Sequence, residues 1–74
     1  MKLEVGKTYL DRKGQEVLIK EITNKRFKLN VIGEVKGKGI DIFTSEGKHN
    51  RNGDISMFDL IQEKELKNEP IFNI

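Results

Sequence analysis

The sequence predicts a small all-β domain, a sheet of about five short antiparallel strands curled on itself, with one helical turn before the last strand. Three observations predict it. Gly39 to Leu60 holds an apolar run, a Glu-Gly turn, a polar bend rich in Asn and Gly, and a Ser-capped apolar turn, which is the punctuation of a meandering sheet. Gln15 to Ile22 carries Val17 and Ile19 on one face and Leu18 and Ile22 on the other, a two-sided pattern that suits a curled sheet better than a flat one. Phe27, Leu29 and Val31 alternate with Lys28 and Asn30, the period-two signature of a half-buried strand.

The elements follow in order. Gly6 to Leu10 is a short first strand that enters a turn at Asp11-Arg12-Lys13-Gly14, where Asp caps the turn with its own side chain and Gly accepts positive φ. Gln15 to Ile22 is the first long strand, and Asn24-Lys25 reverses the chain into the strand through Phe27, Leu29 and Val31. Gly33 interrupts that strand, so a bulge or sharp bend is expected there, with Val35 continuing beyond it. Lys36-Gly37-Lys38-Gly39 is the next loop, after which Ile40, Ile42 and Phe43 supply a third core strand. Thr44-Ser45-Glu46-Gly47 turns the chain, and Asn52-Gly53 offers a second positive-φ reversal. Ser56-Met57-Phe58-Asp59 matches the Ser-x-x-acid helix cap and leads into a final strand near Leu60 to Gln62. The alternative is a C-terminal helix from about 57 to 67, stopped by Pro70. A gap of polar residues before Leu66 disfavours it, because it leaves the later turns little to bury. Residues 1–62 are thus expected to form one domain, and 63–74 a C-terminal extension.

The composition bounds the function. A chain of 74 residues buries only about 60% of the surface it exposes when unfolded, so its margin of stability is small. It has no cysteine, which excludes disulfide staples, thiolate metal sites and a thiol nucleophile. No apolar segment approaches a bilayer span and Met1 to Val5 has no signal-peptide core, so a cytoplasmic protein without a membrane partner is expected. The 14 basic and 12 acidic residues nearly balance, which argues against a dedicated nucleic-acid binder. The balance is uneven along the chain. Residues 1–54 hold 12 Lys and Arg against 8 Asp and Glu, whereas 55–74 hold 2 against 4, so the loops of the first part attract anions.

A first strand with a turn, two hairpins, and a helical turn before the last strand resemble an SH3-like barrel. More narrowly, Gly6 to Gly14, Val31 to Val35, Phe43 to Lys48 and Asp59 to Ile61 resemble small bacteriophage- and prophage-encoded proteins. That resemblance implies a binding protein in the host cytoplasm, one that counteracts host defence by blocking a host protein or by sequestering a nucleotide signal.

No catalytic constellation is legible. His49 is the only histidine and sits in a polar bend, where an exposed imidazole is expected, and Ser45 and Ser56 read as turn and cap residues. Asn50, Asn52 and Asp54 have the alternate spacing of a calcium loop. Gly53 falls between candidate ligands, however, and no acid occupies the bidentate end position, so neither metal nor cofactor is expected.

The candidate binding residues are Tyr9, Lys36, Lys38, Lys48, His49, Asn50 and Arg51. Glycines around Lys38 permit close backbone approach to a phosphate, and Lys48, His49 and Arg51 form a second basic cluster. Should the two loops share one end of the domain, they make an anion-binding edge for a host protein or a small anionic ligand. Tyr9 is expected at the rim. Phe27, Phe43, Phe58 and Phe72 are spaced as core residues, so a stacking platform for nucleic acid is not expected. Ile71, Phe72 and Ile74 form an apolar end suited to self-association, and a homodimer through this tail or an exposed edge is expected.

Overall fold

Alternation fixes which residues enter the core, and hairpin register fixes which of them meet. The structure, a computed structural model, describes residues 2–23 and 26–64. Strands β1 (Thr8–Asp11), β2 (Glu16–Ile22), β3 (Val31–Val35), β4 (Gly39–Phe43) and β5 (Leu60–Glu63) form one antiparallel sheet in the order β4-β3-β2-β1-β5. Across it, Tyr9 pairs with Val17 and Val17 with Val35, while Val31 pairs with Phe43 and Asp11 with Leu60. The apolar residues of these pairs, joined by Ile19 and Leu3, are the buried core, with Asp11 buried beside them. The two ends of the sheet approach each other, because Leu60 N donates to the carbonyl of Gly47, just after β4. Such a curl is consistent with an SH3-like arrangement.

Local chemistry made each reversal. The Asp11 carboxylate accepts from Lys13 N (2.9 Å) and Gln15 N (2.8 Å), and so closes the β1-β2 turn. Thr44 Oγ1 accepts from Lys48 N at 3.0 Å in the turn after β4, where Gly47 takes φ 85°. Ser56 Oγ accepts from Phe58 N, and the Asp59 carboxylate accepts from Ser56 N, a reciprocal cap on a single turn. The chain then enters β5. The alternative helix from 57 therefore does not form over the described residues, since Leu60–Glu63 pairs with β1 and places Leu60 in the core.

Three further expectations are corrected. Phe27 and Leu29 are not strand residues: Asn30 and Thr23 close the β2-β3 connection, with Thr23 N and Oγ1 donating to the Asn30 carbonyl and Asn30 Nδ2 to that of Thr23. Phe27 is left 61% exposed. Ile40 and Ile42 are not core residues, because β4 is an edge strand and the parity that buries Phe43 turns them outward, where they pair with Glu34 and Ile32. The bulge expected at Gly33 lies on the strand beside it. Between Ile19↔Gly33 and Glu21↔Ile32 the extra residue is Lys20 of β2, while Gly33 stays in register with Asp41. Gly33 is glycine for want of room: a Cβ there would lie 2.7 Å from Val17 Cγ1 and 3.4 Å from Phe43 Cε1.

The expected reversal at Asn24-Lys25 and the apolar end at Ile71, Phe72 and Ile74 lie outside the described residues. Among the described residues, no helix is long and apolar enough to cross a membrane.

Candidate ligand-binding cleft

The basic loops do not converge. Lys36 and Lys38 stand at the β3-β4 turn beyond the Val35↔Gly39 pair, whereas Lys48 and Arg51 follow the other end of β4, beyond Val31↔Phe43. Four residue steps along β4 separate the two ends, about 13 Å. Lys36 Nζ lies 3.9 Å from Glu16, and Lys38 Nζ donates to the Gln15 side-chain oxygen at 2.9 Å once the Gln15 amide is turned to the orientation that its neighbours satisfy. An anion-binding edge made of both loops is therefore overturned. Tyr9 is corrected too. Its ring is fully buried, and its hydroxyl accepts from Glu4 N (2.9 Å) and donates to the Lys2 carbonyl (3.3 Å), so it presents nothing to a groove.

Lys48 and Arg51 instead meet residues from two distant segments. A cleft of about 720 Å³ opens at the end of the sheet where β2 and β3 are connected, with Leu3, Ile22, Phe27 and Val31 as its apolar lining and Lys2, Lys28, Lys48 and Arg51 among its walls. Each is held there for a local reason. Tyr9 ties down the backbone at Lys2 and Glu4, which brings Lys2 and Leu3 to the cleft. The Thr23–Asn30 closure ends the ladder, so Phe27 and Lys28 project past the sheet. Asp59 organises the third segment.

Asp59 is 1% exposed, and its carboxylate accepts from His49 N at 2.8 Å and Ser56 N at 2.9 Å, with Arg12 Nε at 3.5 Å and Lys48 Nζ at 3.9 Å. Burial alone pushes its carboxyl up. The hydrogen bonds from His49 and Ser56 and the charges of Lys48 and Arg12 outweigh burial and hold it below the ordinary carboxylate range.

His49 is not the exposed imidazole expected. Its Nε2 lies 3.0 Å from Asp41 Oδ2, and its ring packs against Phe43 and Phe58 at centroid distances of 5.8 and 5.1 Å. Asn50 Nδ2 donates to the Asp54 carbonyl, and Asn52 Oδ1 accepts from Asp54 N, so the calcium-like spacing serves to close a loop. Among the described residues no group of three or more His, Cys, Asp or Glu is placed to hold a metal.

Most described cations away from the cleft are ion-paired, Lys13 and Lys38 excepted. Lys7 faces Glu4 and Glu63, Lys20 faces Glu34, Lys36 and Lys64 face Glu16, and Arg12 faces Asp59. Among the described residues, no acid lies within ion-pair distance of Lys2, Lys28 or Arg51. Lys2, Phe27 and Lys28 were not legible as site residues, although Arg26-Phe27-Lys28 is a basic-aromatic-basic triplet that could have marked the last two. Comparison with known proteins finds no matching family model, curated protein or solved structure.

Proposed function

We propose that the protein is a non-catalytic binder of an anionic ligand that also carries a flat ring, with a nucleotide as the ligand type, and that the cleft is its binding site. One observation carries this proposal. Lys2, Lys28 and Arg51, three cations with no acid within ion-pair distance among the described residues, line a single concave site beside the exposed ring of Phe27. Unneutralised cations at a cleft attract phosphate, and an exposed aromatic ring gives a base a surface to stack on. The cleft volume falls within the range of small-molecule sites, about 300–1,000 Å³. On the phage-type resemblance, such a binder acts as a sponge that withholds a host nucleotide signal.

A thermal-shift panel of nucleoside mono-, di- and triphosphates and cyclic dinucleotides tests the proposal. A ligand at 100 times its Kd raises stability by about 2.7 kcal/mol, so a true ligand lifts the Tm and the Lys28→Glu/Arg51→Glu variant does not respond. A flat panel at saturating concentrations refutes it.

A second reading, stoichiometric binding of a host protein, is favoured by the edge strand. Ile40 (63% exposed) and Ile42 (42%) face outward from β4, whose free edge can accept a further strand.

A further inference from the structure

We infer that the cleft takes single-stranded nucleic acid in preference to a mononucleotide. This inference rests on the anionic-ligand reading above and extends it to a polymer.

Lys28 and Arg51 line two further depressions besides the main cleft. One is also lined by Asn50, Asn52 and Asp54, and the other by Arg26, Phe27 and Leu29. The same two cations thus stand where all three hollows meet, so the concavity runs between the 26–29 and 50–54 segments as a groove rather than ending as a closed pocket. A mononucleotide fills one hollow. A strand threads all three, with successive phosphates at Lys2, Lys28 and Arg51 and a base on Phe27.

Sequence composition points away from nucleic acid only while charge is averaged over the chain. Arg26, Lys28, Lys48, Arg51 and Lys2 line these hollows with the acids Glu46 and Asp54, so basic residues outnumber acidic ones in the lining by five to two. A positively charged groove that tracks a backbone, joined to an aromatic ring that stacks on bases of any identity, is the physical basis of sequence-tolerant single-strand binding. Duplex is disfavoured, since its bases are stacked internally and offer Phe27 no free face.

The test is fluorescence anisotropy with labelled oligo(dT) of about twelve nucleotides, a length within the single-strand site sizes of small binding domains. Thymidine monophosphate, duplex of the same length and poly-L-glutamate serve as competitors. With three unpaired cations each neutralising a phosphate, log K falls against log salt with a slope of about −2, compared with about −0.7 for one phosphate. Phe27→Ala weakens binding roughly 5- to 150-fold, the range of one lost base stack. Lys28→Glu/Arg51→Glu abolishes it. Both variants change exposed side chains, and their circular dichroism and Tm are checked alongside.

If mononucleotides bind as tightly as oligo(dT), the polymer inference fails and the nucleotide reading stands. If neither binds, both fail. Equal competition by duplex or poly-L-glutamate, with Phe27→Ala silent, also overturns the inference, because the groove then recognises charge alone.

Discussion

Replacing Asp59 with Asn keeps the side-chain shape and removes the charge on which the 48–59 segment converges. Both carboxylate oxygens accept backbone N–H groups, Oδ1 from His49 and Oδ2 from Ser56. An amide has one acceptor oxygen, so one of these donors must face an NH2 group. Losing a hydrogen bond to a charged, buried acceptor costs about 1.5–3 kcal/mol. The half-exposed contacts of Arg12 and Lys48 add at most about 1 kcal/mol each. The expected loss is therefore about 2–4 kcal/mol, out of a total stability of roughly 4–11 kcal/mol for a chain this long. With an unfolding entropy near 2.1 cal/mol/K per residue over 74 residues, each kcal/mol moves Tm by about 6 °C, so Asp59→Asn lowers Tm by about 12–24 °C.

The pH dependence has a defined sign. The folded carboxyl is held below its ordinary value of 3.8, so its contribution is fully present above that value and is lost as pH falls through the folded value. Urea unfolding at pH 7 and at steps below pH 4 should show the gap between wild type and Asp59→Asn narrowing with acid. A difference under about 0.5 kcal/mol at pH 7, the size of an ordinary surface substitution, would refute this account of Asp59, as would a gap that stays constant through the acid range.

Gly33→Ala forces a methyl against Val17 and lowers stability by about 1–3 kcal/mol in urea unfolding, and Val17→Ala in the same chain recovers part of the loss rather than adding to it. Tyr9→Phe removes the hydroxyl that holds Lys2 and Glu4. It costs about 1 kcal/mol, and hydrogen exchange at Glu4 N accelerates more than in the central strands. Ile40→Lys/Ile42→Lys changes Tm little because both side chains face solvent, yet it eliminates any dimer or protein complex formed along β4, as read by light scattering.

The fold was legible where its signals are local. Asp11 and Gly14 announced the first turn, Thr44 to Gly47 the turn after β4, and Ser56-x-x-Asp59 the cap before β5, because each is satisfied within a few residues. Period two misled at the ends of strands. Phe27, Leu29 and Val31 alternate as a strand should, but the end of the ladder is set by Asn30 bonding across to Thr23, a cross-strand event that alternation does not encode. Ile40 and Ile42 misled for a related reason: alternation says that two faces differ, and only strand order says that β4 lies at an edge. The candidate site was half legible. Lys48 and Arg51 were found from their own cluster, whereas Lys2 reaches the cleft through the Tyr9 hydroxyl and Lys28 through a loop closure, both contacts between residues distant from Arg51 in the chain.

Backbone amide chemical shifts during titration with adenosine triphosphate test the central claim most directly, because they locate binding as well as detect it. The cleft account predicts saturable shifts at Lys2, Phe27, Lys28, Lys48 and Arg51, with Lys36 to Gly39 unmoved. Shifts centred on Lys36 to Gly39, or no saturable shift at millimolar ligand, would contradict it.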